Sequence, residues 1–91
     1  MNKHFDITIE GKVQGVYFRS STKAVADILG LKGTVMNLPN GNVFIEAEGS
    51  SFELNELITF CKEGPEKAVV TNLDFTEGEM KNYKHFEIKK K

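Results

Sequence analysis

The segment GKVQGVYFRSSTKAVADILG, residues 11–30, contains the change of pattern from which the fold can be worked out. Just before it, residues 5–9 alternate between apolar and polar, as in a half-buried strand. From Phe18 the apolar residues recur at helical spacing, and Gly30 suits the left-handed end of a helix. The segment therefore predicts a strand, a glycine corner and a helix. The predicted apolar face of that helix comprises Phe18, Ser21 or Thr22, Val25, Ile28 and Leu29.

The start of this helix has no conventional cap. The first four amide hydrogens of a helix lack partners inside it, and Ser, Thr, Asp or Asn at the cap normally accepts from one or two of them. No such residue stands between Gly15 and Phe18, so the free amides, with Arg19 in the first turn, form a candidate anion site. Two alternatives stay open: Ser20 is the true cap, or the segment is an ordinary strand-to-helix corner with a surface arginine.

A β-hairpin is predicted next along the chain. Two alternating stretches, Lys32–Asn37 and Asn42–Glu48, are joined through an Asn-Gly pair at 40–41 that tolerates positive φ and favours a tight turn. Asn37, at the end of the first strand, is a second candidate site residue, because the topology turns it toward the same mouth as the Gly15 loop. The alternative, that it only caps the turn, stays open.

A second helix and two further strands complete the predicted fold. Ser50 and Glu53 form a capping box, and Gly64-Pro65 ends the helix. Alternation returns over residues 69–75, and a last short strand is expected over residues 86–88. This order predicts the α+β class, as a ferredoxin-like split β-α-β sandwich in which an antiparallel sheet carries two helices on one face.

Length and composition exclude several classes of protein. Ninety-one residues form one small domain, which is predicted to span residues 1–91. A net charge of −1 and an isoelectric point of about 6.1 argue against nucleic-acid binding. No apolar run approaches the ~20 residues of a membrane span, and no leader resembles a signal peptide. The single cysteine, Cys61, lies on an apolar helix face and predicts a core residue in a reducing, cytoplasmic setting.

The distribution of charged residues and histidines gives a weaker indication of where a site lies. Residues 1–45 carry five basic and three acidic side chains, and residues 46–91 carry seven basic and ten acidic, so an anion site is expected in the first half. The final lysines, 89–91, are predicted to form a solvated tail. His4 and His85 are predicted at the surface or at a sheet edge, and no Cys/His spacing indicates a metal site.

Two segments of the chain resemble the signature segments of acylphosphatases. They are IEGKVQGVYFR at Ile9–Arg19 and GTVMNLPNGNVFIEAEG at Gly33–Gly49, and the resemblance extends over nearly the whole chain, including LGLKG and CKEGP. Two positions depart from the family pattern. Thr34 stands where a large aromatic residue is usual, which predicts a more open or loosely packed mouth of the site. Asn40 stands where aspartate is frequent and preserves the turn chemistry.

The resemblance implies an acylphosphatase, an enzyme that hydrolyses the carboxyl-phosphate bond of acyl phosphates to a carboxylate and inorganic phosphate, with no metal ion or other cofactor. It implies two catalytic residues, Arg19 to grip the phosphate and Asn37 to position the attacking water. The implied substrate-binding residues are Gly15, Val16, Tyr17, Phe18 and Arg19. The implied partners are a small-molecule acyl phosphate and, as product-like ligands, inorganic phosphate or sulfate. The chain itself is expected to be a monomer, although an exposed edge strand would permit pairing.

The competing interpretation is a non-catalytic ferredoxin-like module that binds small anions or a protein. An RNA-recognition domain shares the topology, but its aromatic strand motif and basic face are missing. The presence of both Arg19 and Asn37 favours an enzyme, because anion binding alone does not require a water-positioning amide. Neither a nucleic acid nor a membrane is expected as a partner.

Overall fold

The computed structural model describes residues 1–90, which form one five-stranded sheet and two helices. The elements are β1 (Lys3–Lys12), α1 (Phe18–Leu29), β2 (Lys32–Asn37), β3 (Val43–Gly49), α2 (Ser51–Glu63), β4 (Val69–Gly78) and β5 (Phe86–Ile88). The strand order in the sheet is β4-β1-β3-β2-β5. This arrangement confirms the predicted ferredoxin-like α+β fold.

The sheet is antiparallel except at one edge. β1 pairs in antiparallel fashion with β3 and β4, and β2 does so with β3. β5 instead pairs in parallel with β2, from Gly33 opposite Phe86 to Val35 opposite Ile88. The chain leaves β4 at the opposite edge and crosses to β2. Because β4 runs antiparallel to β2, a strand that returns in the direction opposite to β4 runs parallel to β2. The additional strand therefore makes the sheet mixed.

The two helices pack against each other and bury the apolar face of the sheet. Cys61 of α2 is fully buried, as predicted. Ile28 of α1 is 85% exposed, so its predicted place on the apolar face is wrong. The buried face of the helix follows the spacing of Phe18, Thr22 and Ala26, which does not include Ile28. No helix within residues 1–90 has both the length and the apolar composition needed to cross a membrane. The buried or partly buried residues of α1 include Phe18, Thr22, Val25, Ala26 and Leu29.

The two helices begin differently, as predicted. α2 has the full capping box: the Glu53 amide donates to Ser50 Oγ, and the Ser50 amide donates to Glu53 Oε1, each at 3.2 Å. α1 begins at Phe18, and its cap residue Tyr17 makes no side-chain capping hydrogen bond. Ser20 lies inside the helix and its hydroxyl donates to the Tyr17 carbonyl oxygen at 3.2 Å, so Ser20 is not the cap.

The connection from β4 to β5, residues 79–85, is held across the sheet by one buried carboxylate. Glu48 of β3 is 3% exposed. Its Oε2 accepts a hydrogen bond from the Lys81 amide at 2.6 Å, and its Oε1 accepts one from the Tyr83 amide at 3.1 Å. These two bonds fix the path of the connection and therefore help to position β5 beside β2.

His4 contacts the same buried carboxylate, Glu48. Its predicted place at the surface or at a sheet edge is wrong. It is 1% exposed and lies on β1, between β4 and β3. Its Nδ1 lies 2.7 Å from Glu48 Oε2, and its Nε2 lies 2.8 Å from Asp6 Oδ1. Burial opposes protonation, but the hydrogen bonds and charges of Glu48 and Asp6 outweigh it and raise the pKa of His4 above 6.5. His85, by contrast, is exposed.

We expect His4→Gln to lower the free energy of unfolding by about 1–3 kcal/mol near pH 6, and by less at alkaline pH. The pKa of His4 is higher in the folded than in the unfolded state. Its charge therefore stabilises the fold fully below the unfolded pKa, and this contribution is lost as the pH rises through the folded pKa. Urea unfolding of both proteins at about pH 6 and about pH 9 measures the difference. The same difference at both pH values would contradict a charged His4.

Candidate active site

A pocket of about 380 Å³ opens beside the start of α1 and the ends of β2 and β5. Asn37 reaches the same mouth as the loop that precedes α1, as the predicted topology requires. Of the predicted binding residues, Val16 does not line the pocket: its side chain is 5% exposed and packs in the core, so only its main chain can face a ligand. The lining residues are Val13, Gly15, Tyr17, Phe18, Arg19, Ser20, Asn37, Ile88 and Lys90.

The loop before α1 has two residues in the left-handed region. Gly15 has a φ of 74°, and Tyr17 has a φ of 66° with a ψ of 24°. For a residue with a side chain this conformation costs of order 1 kcal/mol or more. The Tyr17 side chain is 76% exposed, so packing of its ring does not account for the strain. Loops of this kind turn neighbouring amides toward one point, as in the backbone nests that bind anions.

The amides at the start of α1 are free. In the part of the chain that the structure describes, no oxygen accepts a hydrogen bond from the amides of residues 16–20; the first bond into the helix runs from the Ser21 amide to the Tyr17 carbonyl oxygen, at 3.0 Å. A Cβ placed on Gly15 would meet no protein atom within 4 Å. An anion can therefore approach this stretch of backbone closely.

Asn37 brings an unused acceptor to the pocket. Its Oδ1 is buried and accepts no hydrogen bond from residues 1–90. A buried acceptor without a partner costs about 1–3 kcal/mol, so its presence points to a bound water or ligand atom at this place.

Gln14 fixes the loop that follows Asn37. Its Nε2 donates to the carbonyl oxygens of Leu38 and Asn42, at 2.8 and 2.9 Å, and so ties the hairpin loop to the loop before α1. Gln14 was not predicted as a site residue. Its partners are main-chain oxygens that lie 24 and 28 positions away, and no side-chain pattern marks them.

Two cations, Arg19 and Lys90, and no carboxylate stand among the described residues that line the pocket. Arg19 is partly buried and forms no ion pair with a carboxylate among the described residues. Lys90 was predicted only as part of a solvated tail. It is exposed, as is Lys89, but it also lines the pocket. Lys91 lies outside the described residues.

The two departures from the family pattern lie away from this wall. Thr34 is 3% exposed and is not among the lining residues, so the structure does not place its smaller side chain at the mouth of the pocket. Asn40 Oδ1 accepts a hydrogen bond from the Asn42 amide at 3.0 Å, which is the local bond that an aspartate would make in such a turn.

Among the described residues, His4, Asp6 and Glu46 form a group of potential metal ligands, with ligand atoms within 4.8 Å of one another. Sequence spacing did not indicate it, because Glu46 joins from another strand. Both ring nitrogens of His4 already contact carboxylates. Glu46 Oε1 lies 2.8 Å from Lys81 Nζ and accepts from the Tyr83 hydroxyl at 3.1 Å. Because both ring nitrogens lie within hydrogen-bond distance of carboxylates, we interpret the group as a structural network.

Together, the fold and the pocket define a ferredoxin-like domain with an uncapped helix start, an arginine and an asparagine at one mouth. The acylphosphatase family model matches residues 5–88. An acylphosphatase of Thermotoga petrophila is 46% identical over 87 residues, which cover 96% of this chain and 97% of that protein. The chain belongs to the acylphosphatase family.

Solved structures agree with this assignment. An acylphosphatase from Coxiella burnetii matches with a TM-score of 0.94 at 35% identity, covering 97% of this chain and 93% of that one. The acylphosphatase from Bacillus subtilis also gives a TM-score of 0.94, at 33% identity, covering 99% of this chain and 100% of that one. The prediction of an acylphosphatase enzyme is confirmed, and the alternative of a non-catalytic module is not supported.

Proposed function

We propose that this protein hydrolyses the carboxyl-phosphate bond of acyl phosphates to a carboxylate and inorganic phosphate, using a cradle of main-chain amides and Arg19 and a water positioned by Asn37. The observation that carries the proposal is that three groups without a partner among residues 1–90 meet at one pocket: the free amides at the start of α1, the guanidinium of Arg19 and Oδ1 of Asn37. The first two donate hydrogen bonds and the third accepts them. A phosphoryl group with a water beside it satisfies all three.

The cradle supplies the charge compensation that phosphoryl transfer needs. Catalysis of this reaction depends mainly on positioning and on stabilising charge on the equatorial oxygens. Amides at a helix start carry partial positive charge, and the planar guanidinium of Arg19 can donate to two oxygens at once. Gly15, which has no side chain, lets the phosphate reach the amides.

Asn37 is proposed to hold the attacking water. Its amide cannot remove a proton, but Oδ1 can accept a hydrogen bond from the water and fix its line of attack. The water oxygen bonds to phosphorus as the bond from phosphorus to the acyl oxygen breaks, and a phosphate oxygen of the substrate takes the proton. The leaving carboxylate departs without being protonated, so the site needs no strong general acid.

The proposed reaction is independent of metal ions, because within residues 1–90 the pocket lining includes no carboxylate and no histidine that would hold one. Release of phosphate from acetyl phosphate or benzoyl phosphate, measured after exhaustive chelation with Arg19→Ala as control, tests the proposal. The wild type is expected to release phosphate much faster than Arg19→Ala does. Release no greater than that of Arg19→Ala would refute the hydrolytic function, and activity that returns only with added metal would refute the metal independence.

Gly15→Ala is expected to abolish the rise in Tm that inorganic phosphate or sulfate produces by binding to the folded state. The added methyl group projects into the open space before the loop amides, at a φ of 74°. Gly30→Ala is the matched control, since Gly30 has a φ of 79° and equally open surroundings but lies at the far end of α1. Each change should cost about 1 kcal/mol of stability. If both variants keep the phosphate-dependent shift, the anion binds elsewhere.

We also propose an oligomeric state and a cellular location for the protein. We propose that the chain acts as a monomer with one acylphosphatase-like domain; sedimentation velocity measures its mass. Burial raises the pKa of the Cys61 thiol to about 12, which leaves it unreactive. A lone free thiol suits the reducing cytoplasm, where fractionation would locate the protein.

A further inference from the structure

We propose that Lys90 is a second phosphate-binding residue, so that β5, the strand added to the split β-α-β unit, completes the site. This inference rests on the proposed function and adds to it a residue outside both signature segments. Lys90 lines the same pocket as Arg19 and Asn37.

The backbone register brings Lys90 to this position. In the parallel pairing of β2 with β5, Val35 lies opposite Ile88. The pairing continues past the end of β5, since the Lys89 amide donates to the Val35 carbonyl oxygen at 2.8 Å. Asn37 lies two residues after Val35, and Lys90 lies two residues after Ile88. If the same register is continued, Lys90 is therefore level with Asn37. The main chain therefore directs Lys90 to the mouth of the pocket.

α1 and β5 are also joined directly. Lys23 Nζ of α1 donates to the carbonyl oxygen of Phe86, the first residue of β5, at 3.0 Å. Lys23 lies one helical turn after Arg19, so this bond links the helix that carries the arginine to the strand that leads to Lys90. The two cations are thus held on connected parts of the fold.

The charge of the substrate favours a second cation beside Arg19. A phosphoryl group of this kind carries between one and two negative charges near neutral pH, and Arg19 supplies only one positive charge. Lys90 forms no ion pair with a described carboxylate, and no lining residue is acidic. Its ammonium is a compact charge with three rotatable donors, which suits a phosphate oxygen that the guanidinium leaves free.

The test compares Lys90→Met with Lys89→Met, a matched control whose side chain is exposed and does not line the pocket. Lys90→Met should raise both the KM for acetyl phosphate and the Kd for inorganic phosphate by about 5- to 20-fold, with a smaller change in kcat. Lys90→Arg should restore most of the affinity. Because the side chain is exposed, the loss should shrink as ionic strength increases.

Calorimetric titration with inorganic phosphate separates the two proposals. If the wild type binds phosphate but hydrolyses no acyl phosphate, the proposed function fails, and the Kd values of the variants still decide the role of Lys90. Equal Kd values for Lys90→Met and the wild type would overturn the inference. So would an equal loss in Lys89→Met, because the effect would then arise from general surface charge.

Discussion

Asn37→Ala is expected to lower kcat for acetyl phosphate by about 100-fold or more and to leave the inhibition constant of inorganic phosphate nearly unchanged. Asn37 is proposed to contact the attacking water and not the phosphate, so its loss affects the chemical step and spares ground-state binding. The variant should be no less stable than the wild type, because the atom removed is a buried acceptor with no partner among residues 1–90. Steady-state kinetics with phosphate as inhibitor, together with thermal melts, measure all three quantities.

Asn40→Ala serves as the control for this variant. Asn40 lies in the hairpin loop, is exposed and does not line the pocket, so its loss should remove a turn hydrogen bond and leave kcat intact. Asn37→Asp keeps the size and strengthens the acceptor, but it sets a negative charge beside an anionic substrate, so we expect poor binding and a low rate. Wild-type kcat in Asn37→Ala would mean that the asparagine is only a turn residue and that the mechanism is wrong at its central step.

Arg19→Ala is expected to reduce kcat/KM by about 30- to 1000-fold and to weaken inhibition by phosphate in parallel. The guanidinium is proposed to contact the phosphate in both the ground state and the transition state, so binding and turnover should both decline. Arg19 forms no ion pair with a described carboxylate, so Tm without ligand should change little. Kinetics and melts in the absence of phosphate measure these effects.

Arg19→Lys distinguishes charge from shape at the same position. A lysine keeps the positive charge but cannot donate to two oxygens from one rigid plane, so we expect only part of the lost activity to return. Full recovery would mean that charge alone suffices. Unchanged phosphate inhibition in Arg19→Ala would place the arginine outside the cradle.

Several features could be predicted because they depend on a few neighbouring residues. The capping box of Ser50 and Glu53 and the hairpin at 40–41 both follow from side chains within four positions of one another. The uncapped start of α1 was predicted for the same reason, since a missing acceptor before Phe18 is visible in the sequence itself. Most of the candidate site residues lie in one short loop, so the sequence alone already brings them together.

Other features could not be predicted, because their partners lie far along the chain. His4 is buried next to a carboxylate because Glu48 joins it from a neighbouring strand, 44 positions away. Ile28 appeared to belong to an apolar face, but the direction in which α1 packs leaves it exposed.

The sequence by itself determined the helix boundaries, the turn and the loop that carries Arg19, because local hydrogen bonding and side-chain periodicity specify them. Tertiary structure alone decided what meets that loop. Asn37 arrives at the end of β2, and Lys90 arrives through a parallel strand that follows a connection across the sheet. Strand pairing joins residues that are far apart in the chain. A different register, or pairing of β5 at the other edge of the sheet, would move these side chains without any change in the sequence pattern of the strands. The pocket therefore depends on the sheet order β4-β1-β3-β2-β5 as much as on the residues that line it.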